Sequence, residues 1–178
     1  EESFLNMHGK SPKLLHLATH GFYYTPNRAE NVDYLKGYTD AMSLSGLVLS
    51  GGNAAWLGKP LPKGVLGGIL SANDIARLDL SNTDMVVLSA CQTGQGKATA
   101  EGLYGLQRAF KKAGVETIVM SLWSVSDKTT SEFMTTFYER LADKNNAWNK
   151  RKAFEEAKEI IRKKHPDPFH WAAFVMLD

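Results

Sequence analysis

The sequence predicts an α/β fold: a mostly parallel sheet covered by helices on both faces. Three observations carry the prediction. The stretch Met85–Gly96 passes from an apolar, partly β-branched run (Val86, Val87, Leu88) through Ser89-Ala90-Cys91 into small residues and two glycines, and then into a helix-period pattern. That is how a buried parallel strand feeds a turn and a crossover helix. Short apolar runs alternate with amphipathic segments in the order strand, helix, strand, helix, helix, strand, as layered parallel sheets require. No apolar run approaches the length of a membrane span, which leaves these segments to a packed core.

Taken in order, residues 1–12 are polar and read as helical or irregular. Lys13–Thr19 is an apolar run ended by His20-Gly21 and reads as a buried strand. Helix is the competing reading, because Leu and Ala favour it, but Gly21 and Pro26 leave no room for one of ordinary length. Between Gly21 and Gly68 lie nine of the fifteen glycines and three of the six prolines, so Phe22–Gly68 reads as a long functional or mobile connection. Gly46–Ser50 is a candidate hairpin strand within it. Ser71-Ala72-Asn73-Asp74 reads as the capped start of a short helix reaching Leu78.

After the central strand, Leu103, Leu106, Phe110 and Ala113 mark one face of a helix that Gly114 ends. Glu116–Leu122 is a third strand. Thr129-Thr130-Ser131-Glu132 fits a capping box, opening a helix with Phe133, Met134, Phe137 and Leu141 on its inner face. Trp148–Ile161 repeats the pattern, Pro166 and Pro168 end it, and Trp171–Leu177 is a last strand. Trp148 and Trp171 are expected in the core. These strands are few for a sheet of this class, and the chain opens on Glu1-Glu2, so an upstream part is expected to be missing.

The 178 residues make one domain by length, and the composition is that of a globular protein without repeats. A net charge of +2 implies no polyanionic partner, and the Lys/Arg residues of 149–164 are interleaved with Glu as on a solvated helix face, so no nucleic acid is expected. A single cysteine cannot form an internal disulfide. With no signal peptide and no membrane span, the expected location is cytoplasmic.

A lone cysteine is more often a small core hydrophobe than a nucleophile; position singles out Cys91. His20 and Cys91 each follow an expected parallel strand, so both would open onto one carboxyl edge, where ligands of open α/β sheets bind. Small neighbours (Thr19, Gly21, Ala90, Thr93, Gly94) would let a substrate backbone approach. An imidazole near a thiol can hold its proton and later protonate a leaving amine. Backbone N–H groups of Gly21 and Cys91 would stabilise the oxyanion.

Two other readings fail. Gly94-Gln95-Gly96-Lys97-Ala98-Thr99 invites a phosphate loop, but Cys91 stands where the first glycine belongs and Ala98 where a magnesium-holding Ser or Thr should be. His16 and His20 have the spacing of a helical metal pair, but on a strand they lie two pleats apart and no His-Glu-x-x-His is present. His16 reads as packed or capping. No metal and no cofactor is expected.

His-Leu-Ala-Thr-His-Gly (16–21), Leu-Ser-Ala-Cys-Gln-Thr-Gly (88–94), Leu-Gln-Arg-Ala-Phe (106–110) with Ala-Gly (113–114), Ser-Leu-Trp-Ser-Val-Ser-Asp (121–127) and Phe-His-Trp-Ala-Ala-Phe (169–174) follow in that order. Together they resemble the CHAT domain, a caspase-like family related to separase and often fused to TPR repeats. The resemblance runs from about residue 13 to the end. It implies one CHAT peptidase-like domain over 1–178, the C-terminal portion of a longer protein, with the caspase–hemoglobinase three-layer α/β/α sandwich. It also implies a cysteine endopeptidase with His20 as general base and acid, Cys91 as nucleophile and Gly21 as an oxyanion donor. The Ala-Cys-x-x-Gly context departs from the caspase Gln-Ala-Cys-x-Gly, with Ser89 in place of Gln, which separates this chain from the caspase demand for Asp at the cut.

Trp123-Ser124-Val125-Ser126-Asp127 is similar to separase's Trp-Asp-Val-Thr-Asp, whose second Asp lines the pocket for a basic residue before the scissile bond. The resemblance therefore implies cleavage after Arg or Lys over Asp127, with Trp123 and Ser124 flanking the substrate. Asp127 has a second reading as a helix N-cap. Expected partners are a protein or peptide substrate and an upstream TPR-type regulatory domain. The reading from another class is a CHAT-like scaffold that binds a peptide or protein without cutting it.

Overall fold

The computed structural model describes residues 1–29, 32, 35–61, 63, 66–89 and 100–178. It divides into two compact units, Glu1–Ile118 with Asp178, and Val119–Leu177. Both mix helix and strand. Among the described residues no helix is long and apolar enough to cross a membrane.

The first unit opens with a short helix α1 (Glu2–Leu5) that buries Phe4. Strands β1 (Leu14–Leu17) and β5 (Met85–Leu88) then pair in parallel, with Leu14 opposite Met85 and Leu17 opposite Leu88. All four residues of β5 are buried. A parallel strand covered on both faces needs such an unbroken apolar run.

A second, antiparallel sheet follows, and the hairpin strand expected at Gly46–Ser50 is its middle strand. It has the order β2-β3-β4, built from β2 (His20–Tyr23), β3 (Ser45–Val48) and β4 (Ile69–Ser71). His20 stands opposite Val48, and Gly46 opposite both Phe22 and Ser71. Phe22–Gly68 is thus not one loose connection: it also holds the short helices α2 (Pro26–Ala29) and α3 (Gly52–Trp56). Phe22, Ala29, Leu35, Leu44 and Ile69 form a buried cluster there. His20, expected just beyond the first strand, opens β2.

Two glycines make this packing possible. A Cβ at Gly46 would stand inside 3.0 Å of the Leu70 carbonyl oxygen and 2.8 Å from the Phe22 ring. One at Gly105 would collide with the Ser45 hydroxyl, so helix α5 (Ala100–Lys112) lies directly on β3. Helix α4 (Ala72–Ala76) has the expected cap: Ser71 Oγ accepts from the Asp74 N–H, and the Asp74 carboxylate accepts from the Ser71 N–H at 3.1 Å. Gly114 ends α5 at φ +97°, a left-handed conformation that favours glycine.

Strand β6 (Thr117–Ser121) carries the chain into the second unit. There α6 (Asp127–Ala142) packs on α7 (Lys150–Lys164), followed by α8 (Pro168–Trp171) and β7 (Phe174–Leu177). The core is aromatic: Phe133 stacks on Phe174 with centroids 4.0 Å apart and meets Phe154 edge-on at 5.5 Å.

The N-terminus of α6 differs from the expected Thr129–Glu132 box. Ser126 is the cap, its Oγ accepting from the buried Thr129 N–H at 3.2 Å. Glu132 instead accepts from His165 at 2.8 Å and from Lys164 at 3.1 Å, and these bonds, His165 first, hold its carboxyl below the usual Glu value. Trp148 is not core. It is 51% exposed at φ 59°, in a left-handed turn after Lys144–Asn146. Trp171 is half-buried, with the Lys158 and Arg162 head groups over its ring at 5.9 and 5.7 Å.

Candidate active site

The local sequence places His20 by pairing. The Thr19 hydroxyl donates to the Val48 carbonyl, and β2 then runs antiparallel to β3 from His20 opposite Val48. The Tyr24 N–H donates to Leu44 O at 2.9 Å, continuing the same register. Backbone groups of an antiparallel strand alternate sides with period two. The N–H groups of His20 and Phe22 therefore face β3, and that of Gly21 is directed away from it.

His20 is exposed, Gly21 is buried, and both line one cavity of about 170 Å³. Phe22, Tyr24, Val48, Asn53 and Trp56 complete its wall. Phe22 and Tyr24 share a face of the chain leaving β2, and α3 brings Trp56 against both, with ring centroids 5.1 Å from Phe22 and 5.5 Å from Tyr24.

At the end of β5, His16 Nε2 lies 2.9 Å from Ser89 Oγ, and the Ser89 N–H donates to Leu17 O at 3.2 Å. His16 thus ties the carboxyl ends of β1 and β5 together. The protein around its ring, though it leaves His16 among the exposed residues, pushes its pKa below the ordinary imidazole value. Cys91, with the Gly94–Thr99 stretch that invited a phosphate loop, lies outside the described residues.

In the second unit, Trp123 is anchored: its Nε1–H donates to Phe169 O at 2.9 Å and its ring lies 6.2 Å from the Phe169 ring. Ser124 is exposed on the segment before α6. Asp127 is the first residue of that helix, exposed, in the turn where a carboxylate interacts favourably with the helix dipole. The cap is Ser126, so the N-cap reading of Asp127 is set aside.

The structure therefore brings His20 and Gly21 to one cavity, and sets Trp123, Ser124 and Asp127 at or just before the start of α6. The aromatic wall and the His16–Ser89 bond are absent from the sequence-based expectations. The run Phe22-Tyr23-Tyr24 beside His20 was the visible signal for the former.

Comparison with known proteins adds a family. The model of the CHAT domain matches residues 1–178. The chain is 33% identical over 111 residues to tetratricopeptide repeat protein 28 of Mus musculus, covering 61% of this chain, and 32% identical over 111 residues to its Homo sapiens counterpart. It spans only 4% of the length of either relative.

Proposed function

The chain belongs to the CHAT domain family, a group related to caspase-like peptidases, and on that premise we propose that it is a cysteine-type endopeptidase acting through a His20–Cys91 dyad. The observation that supports this reading most is the register of β1 on β5. Leu17 and Leu88 are opposite one another in a parallel pair, and His20 and Cys91 each follow by three residues. In this reading both side chains serve one peptide bond at the carboxyl edge of that pair. The scaffold in this reading is the caspase–hemoglobinase sandwich.

Each residue then has a step. Cys91 gives its thiol proton to His20, and the thiolate attacks the scissile carbonyl carbon. Negative charge moves to the carbonyl oxygen, which the Gly21 and Cys91 N–H groups receive; the direction of the Gly21 N–H away from β3 supports its part. As the adduct collapses the C–N bond breaks and His20 returns the proton to the departing amine. A water that His20 deprotonates then hydrolyses the thioester and restores the thiol.

For specificity the reading assigns the residue before the cut to Arg or Lys, with the exposed Asp127 carboxylate as charge partner and Trp123 and Ser124 beside the substrate chain. A cation that loses water in a cleft needs such a partner. The substrate is a protein or peptide, and the names of the two relatives support an attached tetratricopeptide-repeat segment as regulator.

A peptide-library cleavage assay tests the reading. Wild type should cut after Arg or Lys, Cys91→Ala should not cut, and Asp127→Asn should lose on the order of a hundredfold in kcat/KM for basic substrates. Cleavage after acidic or apolar residues, or an Asp127→Asn variant equal to wild type, would refute the pocket and leave the dyad standing. Peptide binding with no cleavage would favour a scaffold.

A further inference from the structure

We propose that the aromatic cavity beside His20 receives a bulky, uncharged side chain from the substrate residue that follows the scissile bond; this rests on the peptidase reading above. The side of the cut comes from chemistry. The imidazole must deliver its proton to the departing nitrogen, so substrate atoms next to His20 belong to the leaving half. His20 itself lines the cavity, and Gly21, the oxyanion donor of that reading, lies on the same wall.

The ligand class comes from the lining. Phe22, Tyr24 and Trp56 present three rings with centroids 5.1 to 6.5 Å apart. The remaining lining groups are His20, Gly21, Val48 and Asn53, with no carboxylate among the described residues. A lysine or arginine entering it would lose water without a charge partner, whereas an apolar or aromatic side chain loses little and gains contact with the rings. A volume of about 170 Å³ makes this a pocket for one side chain.

The walls are preformed. Phe22 is 4% exposed and belongs to the buried cluster with Ala29, Leu35, Leu44 and Ile69, while Tyr24 and Trp56 pack against that cluster. A pocket built this way spends little of its binding energy on ordering itself.

The test pairs two readouts. A peptidyl electrophile that ends at the scissile carbonyl modifies Cys91 without any residue beyond the cut, whereas a peptide library varied after the cut reads the pocket. Wild type should prefer Leu, Met or Phe after the cut over Gly or Asp by on the order of thirtyfold in kcat/KM. Trp56→Ala, which removes one wall, and Asn53→Phe, which adds a ring at an exposed lining position, should each reduce that preference to about threefold. Both should still be modified by the electrophile, so that the lost preference is read on a protein whose Cys91 still reacts. Asn53→Phe carries the test alone should Trp56→Ala fail to fold. Wild type that reacts and cleaves without preference after the cut, or a preference that is basic or survives both substitutions, overturns the pocket alone. Wild type that neither reacts nor cleaves overturns the peptidase reading and the pocket with it.

Discussion

Replacing Gly46 with alanine should destabilise the sheet that carries His20 by about 2 kcal/mol. The new Cβ would stand inside 3.0 Å of the Leu70 carbonyl oxygen and 2.8 Å from the Phe22 ring. The first obstacle is backbone of the neighbouring strand, and the second is a core ring that also lines the cavity, so neither can swing aside. Overpacking of this kind costs up to about 3 kcal/mol. The loss of unfolded-state freedom on going from Gly to Ala returns roughly 0.4–1 kcal/mol. Dividing a net ~2 kcal/mol by a urea dependence of roughly 2 kcal/mol per molar gives a midpoint lower by about 1 M. Gly67→Ala is the control, because its Cβ would meet nothing closer than the Ala55 methyl at 3.6 Å. Urea unfolding of the three proteins side by side is the assay. Equal midpoints for Gly46→Ala and Gly67→Ala would refute the argument from close approach.

Two further outcomes follow from the corrected local structure. Ser126→Ala should lose about 1 kcal/mol in thermal or urea unfolding, because it strips the bond to the Thr129 N–H; an unchanged stability would return the cap to another residue. In an NMR titration, the His16 ring should protonate below the ordinary 6.5, since its surroundings disfavour the charged form. The unfolded chain then binds the proton first, so stability falls as pH drops through 6.5 toward the folded value and levels off below it. A His16 midpoint at or above 6.5 would contradict the structure here.

Much of the fold was legible where one physical signal dominated. Met85-Val86-Val87-Leu88 reads as a strand buried on both faces because no polar residue interrupts it. Ser71 and Asp74 carry a capping box that the backbone satisfies as expected. Of the antiparallel sheet only β3 was legible, in the hairpin strand expected at Gly46–Ser50; β2 and β4, with four and three residues, are too short to show a period of their own. Gly46 is there for a close approach that only the partner strand and Phe22 reveal. At α6 both Ser126 and Thr129 fit a cap, and tertiary burial of Thr129 decided between them. Trp148 looked like core by size, yet its left-handed backbone in a turn keeps it at the surface. Of the cavity's lining, His20 and Gly21 drew notice in the sequence through their place after an apolar run, while the Phe22–Tyr24–Trp56 wall needs α3 to return to β2 from about thirty residues on.

The dyad is tested most directly by the pH dependence of alkylation. The sequence has a single cysteine, so S-carboxamidomethylation by iodoacetamide, located by peptide mapping, reports Cys91. An ordinary thiol reacts as it ionises near about 8.5, and a neighbouring imidazolium lowers that value by holding the thiolate. Wild type should alkylate rapidly well below about 8.5, and His20→Ala should move the profile back to it. Coincident profiles for wild type and His20→Ala would contradict the dyad.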